Sequence, residues 1–380
     1  MPIKLINAID QVDAEVWDNL ADAANPFLSH RFLHALEASG STGRRTGWQP
    51  LHLLDEQDGV VRGAVPLYVK SNSYGEYVFD HGWAHAFERA GGRYYPKLQV
   101  SVPFTPVPGP RLLVQGALDP DTERDRLAGA LTAAAERTGV SSVHVTFADP
   151  ADIAVFERAG WLIRQGVQYH WHNRGYRDFA DFLDRMKSSR RKTIRKERQA
   201  VADQGITLEV LTGPDLRPFH WDIFWPFYLA TVDKRWGSAY LTRAFFKRLG
   251  EAMADRVVLI MAKHEGKPIG AALNLLGNDT LYGRIWGCLE EYRFLHFETC
   301  YYAAIDFAIE RGLAHVEAGA QGTHKLQRGY EPVATWSAHL IAHEGLREAV
   351  GRFLVEERQA VSEDMTGLRE LLPFRCDDPD

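Results

Sequence analysis

One short stretch, HVEAGAQGTHKLQRGYEPV, combines a carboxylate, a glycine turn and several cations. An apolar run stops at Glu317, small residues follow, and then His324, Lys325 and Arg328 come close together. Amide formation from an activated ester or thioester needs a base for the amine, stabilisation of an oxyanion and an acid for the leaving group. We therefore predict Glu317 as the base, with His324 and Tyr330 as further catalytic candidates.

The small-residue turn after Glu317 favours close approach of backbone N–H groups to a ligand, because glycine carries no side chain. Next to this turn, Gln321, Lys325 and Arg328 are candidates for substrate binding. Structural alternatives stay open for four residues: a salt bridge to Arg284 or Lys325 for Glu317, a helix cap for Gln321, a polar surface position for His324 and core packing for Tyr330.

A strongly basic segment precedes this stretch. Residues 179–205 have apolar side chains at helical spacing, and eight cations lie between positions 185 and 198 against a single acid, Glu197. Like charges four residues apart oppose helix formation, so such a stripe indicates an anionic partner, although a solvated helix face is the alternative. The predicted phosphate-binding residues are Lys187, Arg191, Lys192 and Arg195.

Composition limits the class of protein. The 380 residues favour about two domains, and the net charge of −6 argues against a protein that binds polyanions over its whole surface. Three widely spaced cysteines indicate a reducing compartment, and the chain shows neither a signal peptide nor a run of eighteen apolar residues. We expect a cytoplasmic protein without a transmembrane segment.

Three blocks recur in the same order along the chain. A β-hairpin at 51–69 resembles that at 258–276, and a helix ending in Glu-Arg-Gly spacing before a strand occurs at 131–147 and again at 305–320. A short helix, a glycine and a strand occur at 156–172 and at 326–342. The sequence therefore predicts two copies of one α/β unit, as domains 1–174 and 175–380, the second with an extra strand over 280–288.

This order of elements is similar to the GNAT acyltransferase fold, and two such halves resemble the Fem-type aminoacyl transferases. The segments RKTIRKERQAV, FLHFETCYYAAIDFAIERGL and EAGAQGTHKLQRGYEPV look like bacterial predicted N-acyltransferases labelled as peptidoglycan-biosynthesis proteins. The resemblance implies an α/β (α+β) fold of two tandem GNAT-like domains, each with a mixed, mostly antiparallel sheet flanked by helices. It also implies amide formation from an activated acyl group.

The sequence lacks the loop with which GNAT enzymes bind coenzyme A, and this absence bears on the identity of the acyl donor. A GNAT enzyme holds the coenzyme A pyrophosphate on a glycine-rich turn that opens a helix, where backbone N–H groups face the phosphates. Here Leu289 occupies a position that needs a small residue, and Glu290 and Glu291 follow. Fem-type enzymes similarly lack the loop and use aminoacyl-tRNA. We therefore rank aminoacyl-tRNA as co-substrate above acyl-CoA, with no bound cofactor.

Other candidates come from two further segments. Arg284 and Trp286 lie on the predicted strand 280–288, and Arg235 and Trp236 form an aromatic–cation cluster; all four are predicted to bind substrate, with core packing as the alternative for Trp236. No metal site is expected. The motifs G-x-S-x-G, P-loop, H-E-x-x-H and G-x-G-x-x-G are absent.

Three functions compete. The first is an aminoacyl or acyl transferase that acts on an amine of a small molecule or peptide. In this hypothesis the second half of the chain carries out the catalysis, and the first half has a supporting role. The second is the same fold with acyl-CoA or an acyl carrier protein as donor, since a carrier's acidic face also suits the basic helix. The third is a non-catalytic module that binds RNA or a cell-wall precursor.

Overall fold

The computed structural model describes residues 3–21, 24–114, 116, 119–235, 238–319 and 322–375, without the side chains of 233–235. The chain divides into two compact units, Met1–Val167 with Ala334–Glu363, and Gln168–Val333 with Asp364–Asp380. Strand β9 (Leu162–His172) and strand β15 (Glu331–Ile341) each contain residues of both units. The assignment of a supporting and a catalytic half stays a prediction.

The helices and strands up to the end of the first repeat are β1 (Ile3–Ile6), α1 (Ala14–Asp18), α2 (His30–Ala38), β2 (Trp48–Pro50), β3 (His52–Gln57), β4 (Val60–Val65), β5 (Leu67–Lys70), α3 (His81–Arg89), β6 (Lys97–Val100), β7 (Leu113–Val114), α4 (Pro120–Thr138), β8 (Ser142–Ala148), α5 (Pro150–Arg158) and β9 (Leu162–His172).

Those that follow are α6 (Phe179–Asp184), α7 (Ser188–Ala202), β10 (Ile206–Thr212), α8 (Pro218–Arg235), α9 (Arg243–Met253), β11 (Val257–His264), β12 (Lys267–Leu276), β13 (Thr280–Cys288), α10 (Leu295–Phe297), α11 (Ala303–Glu310), β14 (His315–Glu317), β15 (Glu331–Ile341) and α12 (Glu344–Glu370).

In the first unit, strands are arranged in the order β15-β8-β6-β5-β2, and a second sheet has the order β1-β3-β4-β7. One face of the larger sheet is apolar and packs on α4 and α5. Its other face is polar: Lys70 pairs across with Lys97, Gln99 with His144 and His144 with His339. These five side chains are nevertheless buried.

The sheet of the second unit has the order β10-β11-β12-β13-β14-β9, of which only residues 168–172 of β9 belong to this unit. Neighbouring strands are antiparallel except β13 and β14, which run parallel. Helix α11 and the loops before it cover one face and form the main apolar core of the unit. The mixed α/β architecture with helices flanking the sheets is as predicted.

The internal repeat of the sequence recurs in the structure. The two hairpins are β3–β4 and β11–β12, and both helix-to-strand blocks end their helices with a left-handed glycine, Gly139 and Gly312. Glycine adopts this conformation without strain, so it ends a helix readily. Gly160 and Gly329 also adopt the left-handed conformation, and they end the helices that precede β9 and β15.

The predicted single helix over 179–205 is two helices instead. Helix α6 ends at Asp184, and α7 begins at Ser188. Between them, Met186 is fully buried and forms a β-bridge with Phe374. Burial of this side chain in the unit's core interrupts the helix, so Lys187 lies at the N-cap of α7.

Candidate active site

Strands β13 and β14 pair side by side for only three residues. Thr280 pairs with His315, Leu281 with Val316 and Tyr282 with Glu317. Strand β13 then continues to Cys288, whereas β14 ends at Glu317. The two strands therefore part at Glu317.

A β-bulge lies opposite this parting. On β12, Leu273 pairs with Ile285 and the next residue, Asn274, pairs with Gly283, so Arg284 is an extra residue in the ladder. Bulges of this kind turn a side chain away from the regular alternation and are common beside active sites. Arg284 lowers the pKa of Glu317, so its charge acts on that carboxylate.

The carboxylate of Glu317 is buried, with 14% of the side chain exposed. Burial raises its pKa to about 8 against the opposing effect of Arg284, and Asp279 raises it further. His170 Nδ1 lies 3.8 Å from Glu317 Oε1. Burial lowers the pKa of His170 to about 3, so this imidazole is neutral near pH 7 and does not hold the carboxylate ionised.

Lys325 lies on a 3-10 helix, Thr323–Arg328, that follows β14 in the chain. Its side chain is buried, and Nζ donates a hydrogen bond of 2.7 Å to the carbonyl oxygen of Gly319. Burial lowers the pKa of Lys325 to about 7. The ammonium thus bonds to the backbone of Gly319, and burial places the pKa values of both Glu317 and Lys325 near neutral pH.

Tyr330 is fully buried at the end of the same segment, and burial raises its pKa well above its usual value. Its ring meets that of Tyr301 with centroids 5.6 Å apart. Among the described residues the Tyr330 hydroxyl has no hydrogen-bond partner. The Tyr301 hydroxyl lies 2.8 Å from Nε2 of His324, which is exposed.

Arg328 is part of an internal network. Its Nη2 lies 3.0 and 2.9 Å from the two carboxylate oxygens of Glu197, and Nη1 donates to the carbonyl of His324. Tyr302 donates a short hydrogen bond to the same Glu197, and the guanidinium of Arg328 stacks 3.5 Å above the ring of Phe297. The single acid of the basic segment therefore ties α7 to the 3-10 helix.

The cations of α7 lie on its outer side. Lys187, Lys192 and Arg195 are exposed, and Arg191 is half-buried. Asp184 lies 3.5 Å from Arg191 and 3.9 Å from Arg195, distances of weak ion pairs. These four residues form one basic surface, separate from the Glu197 network beneath it.

The remaining candidates are placed as follows. Trp286 is half-buried, packs against two apolar clusters and contacts His296 with ring centroids 5.7 Å apart. Helix α8 ends at Arg235, whose side chain lies outside the described part of the structure, as do residues Trp236 and Gln321.

Sequence reasoning gave no catalytic part to His170 and none to Tyr301. His170 faces Glu317 across the β9–β14 pair, which no local pattern indicates. Tyr301 lies in a π-helix, Glu298–Tyr302, a rare turn often found at functional sites. Glu197 could have been found, because it interrupts an otherwise cationic run.

The parallel strand pair that parts at a buried carboxylate, on a sheet flanked by helices, places the chain in the class of proteins with the acyltransferase fold expected from the sequence. The chain belongs to the FemAB-like family, described as peptidoglycan biosynthesis/recognition, which matches residues 8–376.

Solved structures share this fold. The C-terminal DUF2156 domain of a putative lysylphosphatidylglycerol synthetase from Agrobacterium fabrum is 9% identical, with 90% of this chain and 96% of that chain covered and a TM-score of 0.56. FemX is 11% identical, with 92% and 100% covered and a TM-score of 0.54. L-PGS from Bacillus licheniformis is 10% identical, with 90% and 96% covered and a TM-score of 0.50.

No curated protein matches the chain. In the part of the chain that the structure describes, no helix combines the length and apolar character that crossing a membrane requires. Within the same residues, no group of three or more His, Cys, Asp or Glu side chains is arranged to hold a metal ion.

Proposed function

We propose that the protein is an N-acyltransferase that forms an amide bond between an activated aminoacyl or acyl group and an amine. The observation that carries this proposal is Glu317, a buried carboxyl group with a pKa raised to about 8 at the point where β13 and β14 part. A base whose pKa lies near the working pH takes up and releases protons efficiently. Family membership supports the same class of reaction.

The reaction converts an acyl ester and an amine into an amide and an alcohol. The amine nitrogen attacks the acyl carbon while Glu317 accepts a proton from that nitrogen. The C–N bond forms, the C–O bond to the leaving group breaks, and the leaving oxygen takes a proton. Tyr330, whose hydroxyl is buried without a partner among the described residues, is the proposed acid for that oxygen.

Lys325 is the proposed stabiliser of the negative charge that develops on the acyl oxygen. Its ammonium bonds to the carbonyl of Gly319, two residues after Glu317. A buried cation stabilises an oxyanion more strongly than one in water, because the surroundings screen the charge less.

The proposed donor is aminoacyl-tRNA. The exposed cations Lys187, Lys192 and Arg195 offer a surface for RNA phosphates. At the end of β13, Glu290 and Glu291 are exposed and follow Leu289, so this turn disfavours the pyrophosphate of coenzyme A. An acidic carrier protein is the second donor that the basic surface of α7 favours.

The test offers the purified protein each donor with a mixture of small amines and peptides. Labelled aminoacyl-tRNA, acyl-CoA and acyl carrier protein are assayed in parallel, and amide products are detected by mass spectrometry. We expect product with aminoacyl-tRNA, and about 10²- to 10⁴-fold slower formation of that product with the Glu317→Gln variant. Transfer from a thioester alone would replace the proposed donor, and tRNA binding without product from any donor would contradict catalysis.

A further inference from the structure

A cleft of about 570 Å³ lies in the second unit, separate from Glu317, between α7, β10 and α11. Its floor is formed by alternate residues of β10, which share one face of the strand: Ile206, Leu208, Val210 and Thr212. Val210 is 41% exposed, unusually open for a valine on a strand. The floor is therefore apolar and accessible to solvent.

The charged side chains around this floor are mostly acidic. Four carboxylates face two guanidinium groups in the lining, which leaves an excess of two negative charges; the residues are Asp215, Glu298, Asp306 and Glu310 against Arg198 and Arg311. Arg198 is already engaged inside the cleft, at 3.0 Å from Glu298 Oε1 and 2.7 Å from Asp306 Oδ2. The net field of the lining favours a cation.

Glu298 supplies a second, independent indication of a ligand. The residue is only 7% exposed, and its Oε1 accepts the hydrogen bond from Arg198. Its other oxygen, Oε2, is buried and has no hydrogen-bond donor among the described residues. An unpaired buried carboxylate oxygen is costly, so a ligand that donates a hydrogen bond here would be stabilised.

The backbone around Glu298 is unusual as well. Residues Glu298–Tyr302 form a π-helix directly before α11, and Glu298 and Arg198 both line the cleft. Such turns are frequent at functional sites. The cleft thus combines a buried acceptor with a mostly apolar floor about 20 Å long, from the six strand steps between Ile206 and Thr212.

We infer that this cleft binds a primary amine carried on an apolar chain. The ammonium group, which has three donors, bonds to Glu298 Oε2 and to the carboxylate of Asp306. The chain lies along the floor of β10 against Phe307 of α11. The inference does not depend on the proposed acyl transfer, because neither Glu317 nor Lys325 contributes to this lining.

The test compares three probes of equal length: n-hexylamine, n-hexanol and hexanoate. Binding is followed by isothermal calorimetry and by ligand-observed NMR on the whole protein. We expect saturable binding of hexylamine, at least about tenfold weaker binding of hexanol, and none of hexanoate, because the lining repels an anion. Equal binding of the amine and the alcohol would overturn the inference.

Variants locate the site. Glu298→Gln removes one negative charge at the buried end and should weaken hexylamine about tenfold. Glu310→Gln changes an exposed rim residue that leaves the buried pair intact, and a loss of about two- to threefold is expected. Glu251→Gln, on an exposed face of α9, is the matched control and should leave affinity unchanged. Unchanged affinity in both cleft variants, with melting curves like the wild type, would contradict the inference.

Discussion

Each unit contains buried lysines and carboxylates, but the contacts that these side chains make differ between Lys97 in the first unit and Lys325 and Glu317 in the second. In the first unit, Lys97 Nζ lies 2.8 Å from Glu76 Oε2, 2.5 Å from Asp80 Oδ2 and 2.9 Å from Ser73 Oγ. In the second, Lys325 Nζ bonds to a carbonyl, and the ion pair that the described residues give Glu317 is a histidine 3.8 Å away. Pairing is therefore close at Lys97 and weak at Glu317 and Lys325.

The pKa values follow this difference. Burial lowers the pKa of Lys97, but Glu76 and Asp80 outweigh burial and leave it above its usual value. Burial raises the pKa of Asp80, and Lys97 reverses the effect. Without such partners, burial moves Glu317 to about 8 and Lys325 to about 7. Lys97 and Asp80 stay charged, whereas the weakly paired Glu317 and Lys325 approach neutrality and become able to exchange protons at pH 7.

Lys70 and Glu76 lie between these extremes. They are 3.7 Å apart, and burial moves the pKa of each to about 7. Lys70 also lies 3.7 Å above the ring of Trp48 and donates to the carbonyl of Tyr74. The pKa of Glu76 stays raised although Lys97 lies 2.8 Å from its other oxygen, because the effect of burial outweighs both lysines.

The largest expected effect is a difference in stability between variants of the two buried lysines. Lys97→Met leaves Glu76 and Asp80 buried without their cation, and we expect a loss of about 3–5 kcal/mol in the free energy of unfolding. Lys325→Met removes one hydrogen bond, but it also removes the cost of neutralising a lysine whose pKa is about 7 in the folded protein against a usual 10.5, so no net loss is expected at pH 8. Urea unfolding at pH 8 measures both. Equal losses would contradict the contrast between the units.

The second prediction concerns activity. Glu317→Gln keeps the shape of the side chain but cannot accept a proton, so kcat/KM for amide formation should fall about 10²- to 10⁴-fold at pH 7.5. At about pH 4, where the carboxyl group is protonated in the folded protein and largely so in the unfolded one, the free energy of unfolding should change by less than about 1 kcal/mol, because Gln has the same shape. Glu209→Gln, on β10, is the control. A rate like the wild type would remove Glu317 from the mechanism.

The third prediction uses the pH dependence of unfolding. The pKa of Glu317 is higher in the folded protein, about 8, than its usual 4.5, so the unfolded state binds fewer protons in this interval. Its contribution to stability therefore falls as pH rises from about 4.5 to about 8, with a slope of up to about 1.4 kcal/mol per pH unit. Glu317→Gln should remove this slope.

The contribution of Lys325 to stability changes with pH in the opposite direction, and over a different pH interval. Its pKa is about 7 in the folded protein against a usual 10.5, so the unfolded state binds more protons between these values. Its contribution to stability should rise with pH from about 7 to about 10.5, and Lys325→Met should remove that rise. Unfolding curves from pH 5 to 10 for both variants give the measurement. Parallel curves for variant and wild type would show that neither group is perturbed.

Local patterns predicted the elements but not the partners of the buried charges. The strand 280–288, the hairpins and the repeated helix–glycine–strand blocks each depend on residues close in sequence. Lys97 and Glu76 are 21 positions apart, and Glu197 and Arg328 are 131 apart, so only the completed fold brings them together. Likewise, β9 and β15 each contain residues of both units, and this division cannot be read from any short segment of the sequence.

The smallest expected effect concerns the exposed cations, which lack the burial that makes Lys97 and Lys325 differ. Replacing Lys192 and Arg195 with Gln should weaken binding of unfractionated tRNA several-fold and lower the slope of log affinity against log salt by about 1–2, since each phosphate contact contributes about 0.9. Filter binding at 50–200 mM salt measures this. The control replaces Arg93 and Arg137, exposed residues of the first unit, with Gln. If both pairs lower the slope equally, tRNA is attracted by charge in general, and the basic surface of α7 is not its binding site.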